Sequence, residues 1–150
     1  MSNHSADVIV FKSRVITCLT EFLWTMLRDF DSSRLWNSDI TNVEHNAGCY
    51  KIGCILALYI HDGKVFREWL LEFDDAERTV TYDMVDCPML IRDSVASNRM
   101  TLITAIGRSL AIWQSRFRCR PEDQQEMIHC FDTLVYEEGL EGNEQVMLST

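Results

Sequence analysis

Apolar residues recur along this chain at two different periods, and the switch between them marks its elements. Residues 8–19, "VIVFKSRVITCL", are β-branched and read as an opening strand. Six later segments have the same character: 39–45 ("DITNVEH"), 50–60 ("YKIGCILALYI"), 64–73 ("KVFREWLLEF"), 78–85 ("RTVTYDMV"), 91–103 and 108–118 ("RSLAIWQSRFR"). Turn residues separate them, at Asn46-Ala47-Gly48, Asp62-Gly63, Asp74-Asp75, Asp86-Cys87-Pro88 and Gly107. Asp-Gly is a strong hairpin signal, because the tight turns that suit twisted strands need positive φ.

Between the first strand and the rest the period becomes helical. In "TEFLWTMLRDF", Phe22, Leu23, Met26, Leu27 and Phe30 share helical spacing, with Thr20 placed as N-cap. Asp31-Ser32-Ser33 interrupts this helix and starts a second short one reaching Trp36. Residues 27–40, "LRDFDSSRLWNSDI", are too apolar for a solvated loop and too broken for one helix. The last segment is helical again over 121–138. Pro121 suits a first turn, Glu122 and Asp123 suit the positive end of the dipole, and Gly139 is placed to end it. Met127, Ile128, Phe131, Leu134 and Val135 make its apolar face, with Glu122, Asp123 and Glu137 toward solvent.

The order is therefore one strand, two short helices, six strands and a long helix, with no repeat or linker: one α+β domain over residues 1–150. A seven-stranded antiparallel sheet twists and curls, and its concave face must be covered. One amphipathic helix cannot cover all of it, so a gap remains between helix and sheet. The bent aromatic connection at 27–40 is expected to form the floor or rim of that gap.

Composition narrows the function. The net charge of −9 argues against nucleic acid or an anionic membrane as partner. Eight acidic residues and no Lys or Arg lie between Pro121 and Thr150, as a solvated helix face would have them. The six cysteines (Cys18, Cys49, Cys54, Cys87, Cys119, Cys130) show no CxxC spacing, and no secretory or membrane-spanning run is present. They are expected to be reduced, in a cytoplasmic protein. His4, His45, His61 and His129 form neither HxH nor HExxH, so no metal centre is expected. P-loop, GxGxxG and GxSxG motifs are absent.

Taken in succession, several stretches resemble the START/Bet v 1-like superfamily, in its polyketide cyclase/dehydrase-like branch. They are the "W…LRDF…W" helix pair, Gly53 opening a strand, "E-x-L-x-x-x-D" from Glu68 to Asp74 and "RTVTY". The Pro after strand five, "W-x-S-x-F" at 113–117 and the closing helix with "EEGLEG" complete the set. The resemblance covers nearly the whole chain and implies a helix-grip fold: a curved seven-stranded antiparallel sheet around a long C-terminal helix, with two short helices after strand one. It also implies an internal cavity for apolar small molecules.

Strand alternation selects the side chains that face such a cavity. Phe66, Glu68, Leu70 and Glu72 share one face of the fourth strand, and the resemblance places Glu68 inward, where several family members keep a carboxylate. Ser94, Ala96, Asn98 and Met100 share a face of the sixth. Where a sulfenic-acid-rearranging relative has a functional Tyr and Arg, this chain has Ser94 and Leu56, which counts against that reaction. Where hormone receptors of the family carry a ligand-pairing Lys, it has Ile40.

The expected apolar lining is Trp36, Ile40, Leu56, Phe66, Leu70, Trp113, Phe131 and Val135, with Asn98, Ser115 and Asn42 as polar points. Glu68 is the expected proton-transfer group, because an apolar site raises a carboxyl's pKa, with Tyr82 and Ser94 polarising a carbonyl. Two functions follow. One is a cofactor-independent cyclase, dehydratase or isomerase of natural-product (polyketide or terpenoid-type) biosynthesis, working on an apolar small molecule. The other is a non-catalytic carrier of a hydrophobic ligand or lipid. Acidic loops ("DFDSS", "DDAE") disfavour a membrane-docking carrier. A monomer or homodimer without membrane insertion is expected.

Overall fold

Hairpins build the sheet. The computed structural model describes residues 6–45, 52–103 and 107–149. Its strands are β1 (Ala6–Ile16), β2 (Ile40–His45), β3 (Ile55–Ile60), β4 (Val65–Asp74), β5 (Thr79–Asp86), β6 (Arg92–Leu102) and β7 (Ser109–Cys119). They form one antiparallel sheet in the order β1-β7-β6-β5-β4-β3-β2, so β1 and β2 are its edges. The Asp62-Gly63 turn joins β3 to β4, and Gly63 adopts φ 86°, which a side chain would resist. The expected break at 46–48 and Cys49 lie outside the described residues.

The chain crosses between the two edges by α1 (Thr20–Arg28), a 3₁₀ turn (Phe30–Ser32) and α2 (Ser33–Trp36). The kink is held locally. The Asp29 carboxylate accepts from the Asp31 amide, the Ser32 hydroxyl donates to the Met26 carbonyl, and that of Ser33 donates to the Phe30 carbonyl. Thr20 is not the cap. It is buried inside the helix start, its hydroxyl 2.9 Å from that of Ser109, while Leu19 occupies the cap position with no side-chain bond. Leu23, Trp24, Leu27 and Phe30 face the sheet, and Phe22 faces out. Trp24 and Phe30 pack against Phe73, tilted and edge-on respectively, with centroids 5.7 and 6.0 Å away.

The closing helix departs most from the sequence reading. It opens with a 3₁₀ turn at Pro121–Asp123, continues as α3 (Gln124–His129), widens into a π segment (Cys130–Glu137), and returns to α in α4 (Glu138–Leu148). It does not stop at Gly139. That glycine is buried mid-helix, where an added Cβ would stand 2.5 Å from the Trp113 ring. Gly142 passes closer still to the Trp36 carbonyl. Close approach, not termination, explains both glycines. The wider π turn also rotates the apolar face. Met127 and Phe131 are buried as expected, but Tyr136 and Leu140 follow, and Ile128 and Leu134 are exposed. Asp123, expected in solvent, is buried and accepts from the Arg120 guanidinium at 2.9 Å.

Two β-bulges correct the alternation. One between Leu70 and Glu72 turns Glu72 outward and Phe73 inward. One between Ile40 and Asn42 leaves Ile40 and Val43 buried and Asn42 exposed. Cys54 is disulfide-bonded, contrary to the expectation of six reduced cysteines, whereas Cys18, Cys87, Cys119 and Cys130 are free. The expectation rested on the lack of CxxC spacing, which does not exclude a disulfide at another spacing. Among the described residues no helix is long and apolar enough to cross a membrane.

Candidate functional site

Register places the chemistry on the concave face. Glu68 on β4 lies between Leu56 of β3 and Met84 of β5. The next row runs Leu70–Tyr82–Ala96–Ser115 across β4 to β7, and the one beyond it Val80–Asn98–Trp113 across β5 to β7. The helix closes over these rows: Tyr136 meets Trp113 edge-on at 5.8 Å, and Trp36 of α2 meets the other side of Trp113 at 5.3 Å.

Between them lies an internal cavity of about 110 Å³. Nine of the expected residues contribute to its wall: Trp36, Ile40, Leu56, Glu68, Leu70, Tyr82, Asn98, Trp113 and Val135. The α1–α2 connection supplies Leu27, Phe30, Ser33, Trp36 and Asn37, so stretch 27–40 forms part of the cavity wall. A larger open groove of about 880 Å³ lies outside α1, with Cys18 and Asp29 its titratable lining among the described residues.

Besides the exposed Asn42, four expected site residues are not brought to this wall. Phe66 is half-buried near the start of β4, short of the cavity. Ser94 is buried within the irregularity between Arg92 and Val95 at the end of β6 and does not line the cavity. Ser115 faces the helix, but its hydroxyl is taken by that of Tyr136. Phe131 stacks on Phe117 at 4.9 Å and belongs to the core beneath Tyr136.

Tyr136 is the residue that sequence reasoning missed. Counting forward from Phe131 in steps of four reaches Val135; counting back from Leu140 reaches Tyr136. Both residues reach the cavity wall, and the π turn is what brings Tyr136 onto the Trp113 ring.

Electrostatics single out Glu68. It is 9% exposed, and among the described residues no hydrogen bond or ion pair reaches its carboxyl. Burial alone pushes its pKa from the ordinary 4.5 up to about 8, since a charge there loses water and gains no partner. The phenol of Tyr82 is raised well above its usual value by burial and then by the Glu68 charge. Tyr136 is raised by burial, against its bond to Ser115. At neutral pH the site therefore presents a protonated carboxyl and phenols that remain hydrogen-bond donors. Such a carboxyl can give a proton to a developing oxyanion and take one back near pH 8. Among the described residues no cluster of His, Cys, Asp and Glu could hold a metal ion.

A sheet clasping a long helix over an internal cavity has clear structural counterparts. The fold is that of the Bet v 1-like helix-grip proteins. XoxI from Bacillus cereus is similar over 94% of this chain and 96% of its own, at 24% identity and TM-score 0.84. An uncharacterized Bacillus thuringiensis protein matches 94% of this chain and 99% of its own, at 23% identity and TM-score 0.84. Norcoclaurine synthase from Thalictrum flavum, solved with dopamine and hydroxybenzaldehyde, matches over 97% of this chain and 88% of its own, at 12% identity and TM-score 0.76. No family model and no curated protein matches the sequence. At these identities the likeness establishes the fold, and the site must supply the function.

Proposed function

We propose that this protein is a cofactor-independent enzyme of natural-product biosynthesis that cyclises, dehydrates or isomerises a small apolar intermediate in the internal cavity. The observation that carries the reading is Glu68: a carboxyl with no counter-charge, in a mostly apolar cavity, titrating near neutrality. A purely structural interior would be more stable with an apolar residue there, so a carboxyl at this place fits proton transfer. The similarity in fold to norcoclaurine synthase, a biosynthetic enzyme, supports the class of activity without naming the reaction.

In this mechanism the cavity folds the substrate against Leu56, Leu70, Trp36 and Trp113 and excludes water. Glu68 donates its proton to an oxygen as charge develops there, and its carboxylate then removes a proton from carbon. Tyr82 stands one strand over, diagonal to Glu68, and hydrogen-bonds the oxygen during the transfer. The volume of about 110 Å³ suits a ring-sized reacting portion rather than a whole polyketide chain.

Glu68→Gln tests the reading, because it keeps the shape and removes the titratable proton. Turnover on a converted substrate should fall by about 10²-fold or more, with affinity little changed. Near-normal turnover would reduce the carboxyl to a ligand anchor and refute the role assigned to it.

A further inference from the structure

The cavity wall contains polar atoms that the proposed proton transfer does not use. The indole N–H groups of Trp36 and Trp113 are both buried without a hydrogen-bond partner, and so is the side-chain carbonyl oxygen of Asn98. All three residues line the cavity, and Asn98 and Trp113 are direct cross-strand neighbours. Trp113 is 2% exposed, so solvent does not satisfy it from outside. By contrast the indole of Trp24 is paired, donating to the Asp75 carboxylate at 2.8 Å. Ring faces are nearby, since Trp36 and Tyr136 both meet Trp113 edge-to-face, but a π face is a poor substitute for an oxygen acceptor. Buried indoles usually find a partner, and two adjacent ones without any mark a place where a partner is brought in.

We infer that the Trp36–Trp113 corner is a specificity site for a carbonyl oxygen: the cavity selects compact cyclic ketones or related carbonyl compounds over hydrocarbons of the same shape. The inference rests on the cavity being the ligand site and adds to it the functional group that is read. The oxygen accepts from one or both indole N–H groups, which orients the ring. Asn98 adds a nearby acceptor for a hydroxyl or N–H carried by a substituted ligand. The size fits, because a cavity of about 110 Å³ takes roughly one six-membered ring. No chemistry is required for this recognition. It is a matter of pairing donors that are otherwise buried alone.

The test compares cyclohexanone with methylenecyclohexane, which has the same shape but carries =CH₂ where the ketone carries oxygen. Each is titrated into the ¹⁵N-labelled wild-type protein while the four tryptophan indole resonances are followed. Cyclohexanone should bind about tenfold or more tightly. It should move the Trp36 and Trp113 indole protons downfield and leave the Asp75-bonded indole of Trp24 unmoved. Trp36→Phe, which keeps an aromatic ring and removes the N–H, should narrow the preference. Equal affinity for the two probes would overturn the inference while leaving the cavity as a binding site. Failure of both probes to bind would overturn it together with the ligand-site reading. A ketone preference in a protein whose Glu68→Gln variant keeps its turnover would support this inference and remove only the catalytic role of Glu68.

Discussion

Neutralising Glu68 should make the protein more stable above pH 5, and the size of the effect follows from burial. In the unfolded chain the carboxyl releases its proton near the ordinary value of 4.5, whereas in the folded protein it holds on until about pH 8. Between those values the folded state binds more protons than the unfolded one, so stability falls as pH rises. The favourable contribution is complete below pH 4.5 and is lost by the time pH passes 8. Each pH unit in the window costs about 1.4 kcal/mol, and the window spans roughly 3.5 units, giving a loss on the order of 5 kcal/mol. That is a large share of the stability of a domain this size. Glu68→Gln has no such proton to lose. Urea denaturation of both proteins at pH 5, 6, 7 and 8 would give the difference directly. Groups common to both proteins that do not feel Glu68, such as Asp83 and Cys119, which burial also raises, cancel in the subtraction. The variant should gain on the wild type by up to about 1.4 kcal/mol per pH unit, levelling off near pH 8. Parallel curves across this range would refute the argument, for they would mean that the carboxylate is already solvated or paired when folded.

Three further outcomes are expected. If Glu68 transfers the proton, the pH–rate profile of a converted substrate should show an inflection near 8 rather than between 4 and 5, and Glu68→Gln should remove it. Gly139→Ala should destabilise the protein by about 1–3 kcal/mol in urea denaturation despite alanine's better helix propensity, because its Cβ meets the Trp113 ring; a stabilised variant would show that the ring has room to move. Tyr136→Phe leaves the Ser115 hydroxyl buried without its partner and should cost about 1–3 kcal/mol, which thermal unfolding would detect.

The order of elements was legible because period and turn chemistry agree over whole segments. Asp62-Gly63 marks a hairpin by itself, and the inward set Ser94, Ala96, Asn98 and Met100 follows from strict alternation. Legibility ended where one residue is inserted into a regular period. The bulge after Leu70 exchanges Glu72 for Phe73, and the π segment adds Tyr136 to the wall beside Val135 and brings it onto Trp113. Neither irregularity has a local sequence signature, since both are set by what the opposite layer needs. Gly139 was misread for the same reason. In one dimension a glycine after a helical run signals an end, but here the tryptophans of α2 and β7 require the space.

The placement of the unpaired groups bears on why the interior is not simply filled. An unpartnered buried donor or carboxyl costs free energy that a methyl-bearing residue of similar size would not. Here several occur together: the Glu68 carboxyl, the Trp36 and Trp113 N–H groups and the Asn98 carbonyl all belong to one cavity wall. Elsewhere among the described residues two buried oxygens are also unpaired, the Ser94 hydroxyl and the Asn143 side-chain carbonyl, whereas Thr20 is paired with Ser109, and Ser109 with the Cys18 carbonyl. A cost spread over the core would suggest imperfect packing, whereas one concentrated around a cavity points to an occupant that satisfies the groups when bound. Such an occupant should stabilise the fold by more than its apolar contacts alone provide, since it also pairs those groups. Thermal unfolding with saturating cyclohexanone or methylenecyclohexane measures that difference. The ketone should raise the transition temperature by more than its isostere does, at equal occupancy of the cavity. Equal shifts would mean that the unpaired groups contribute nothing to recognition and that the cavity reads shape alone.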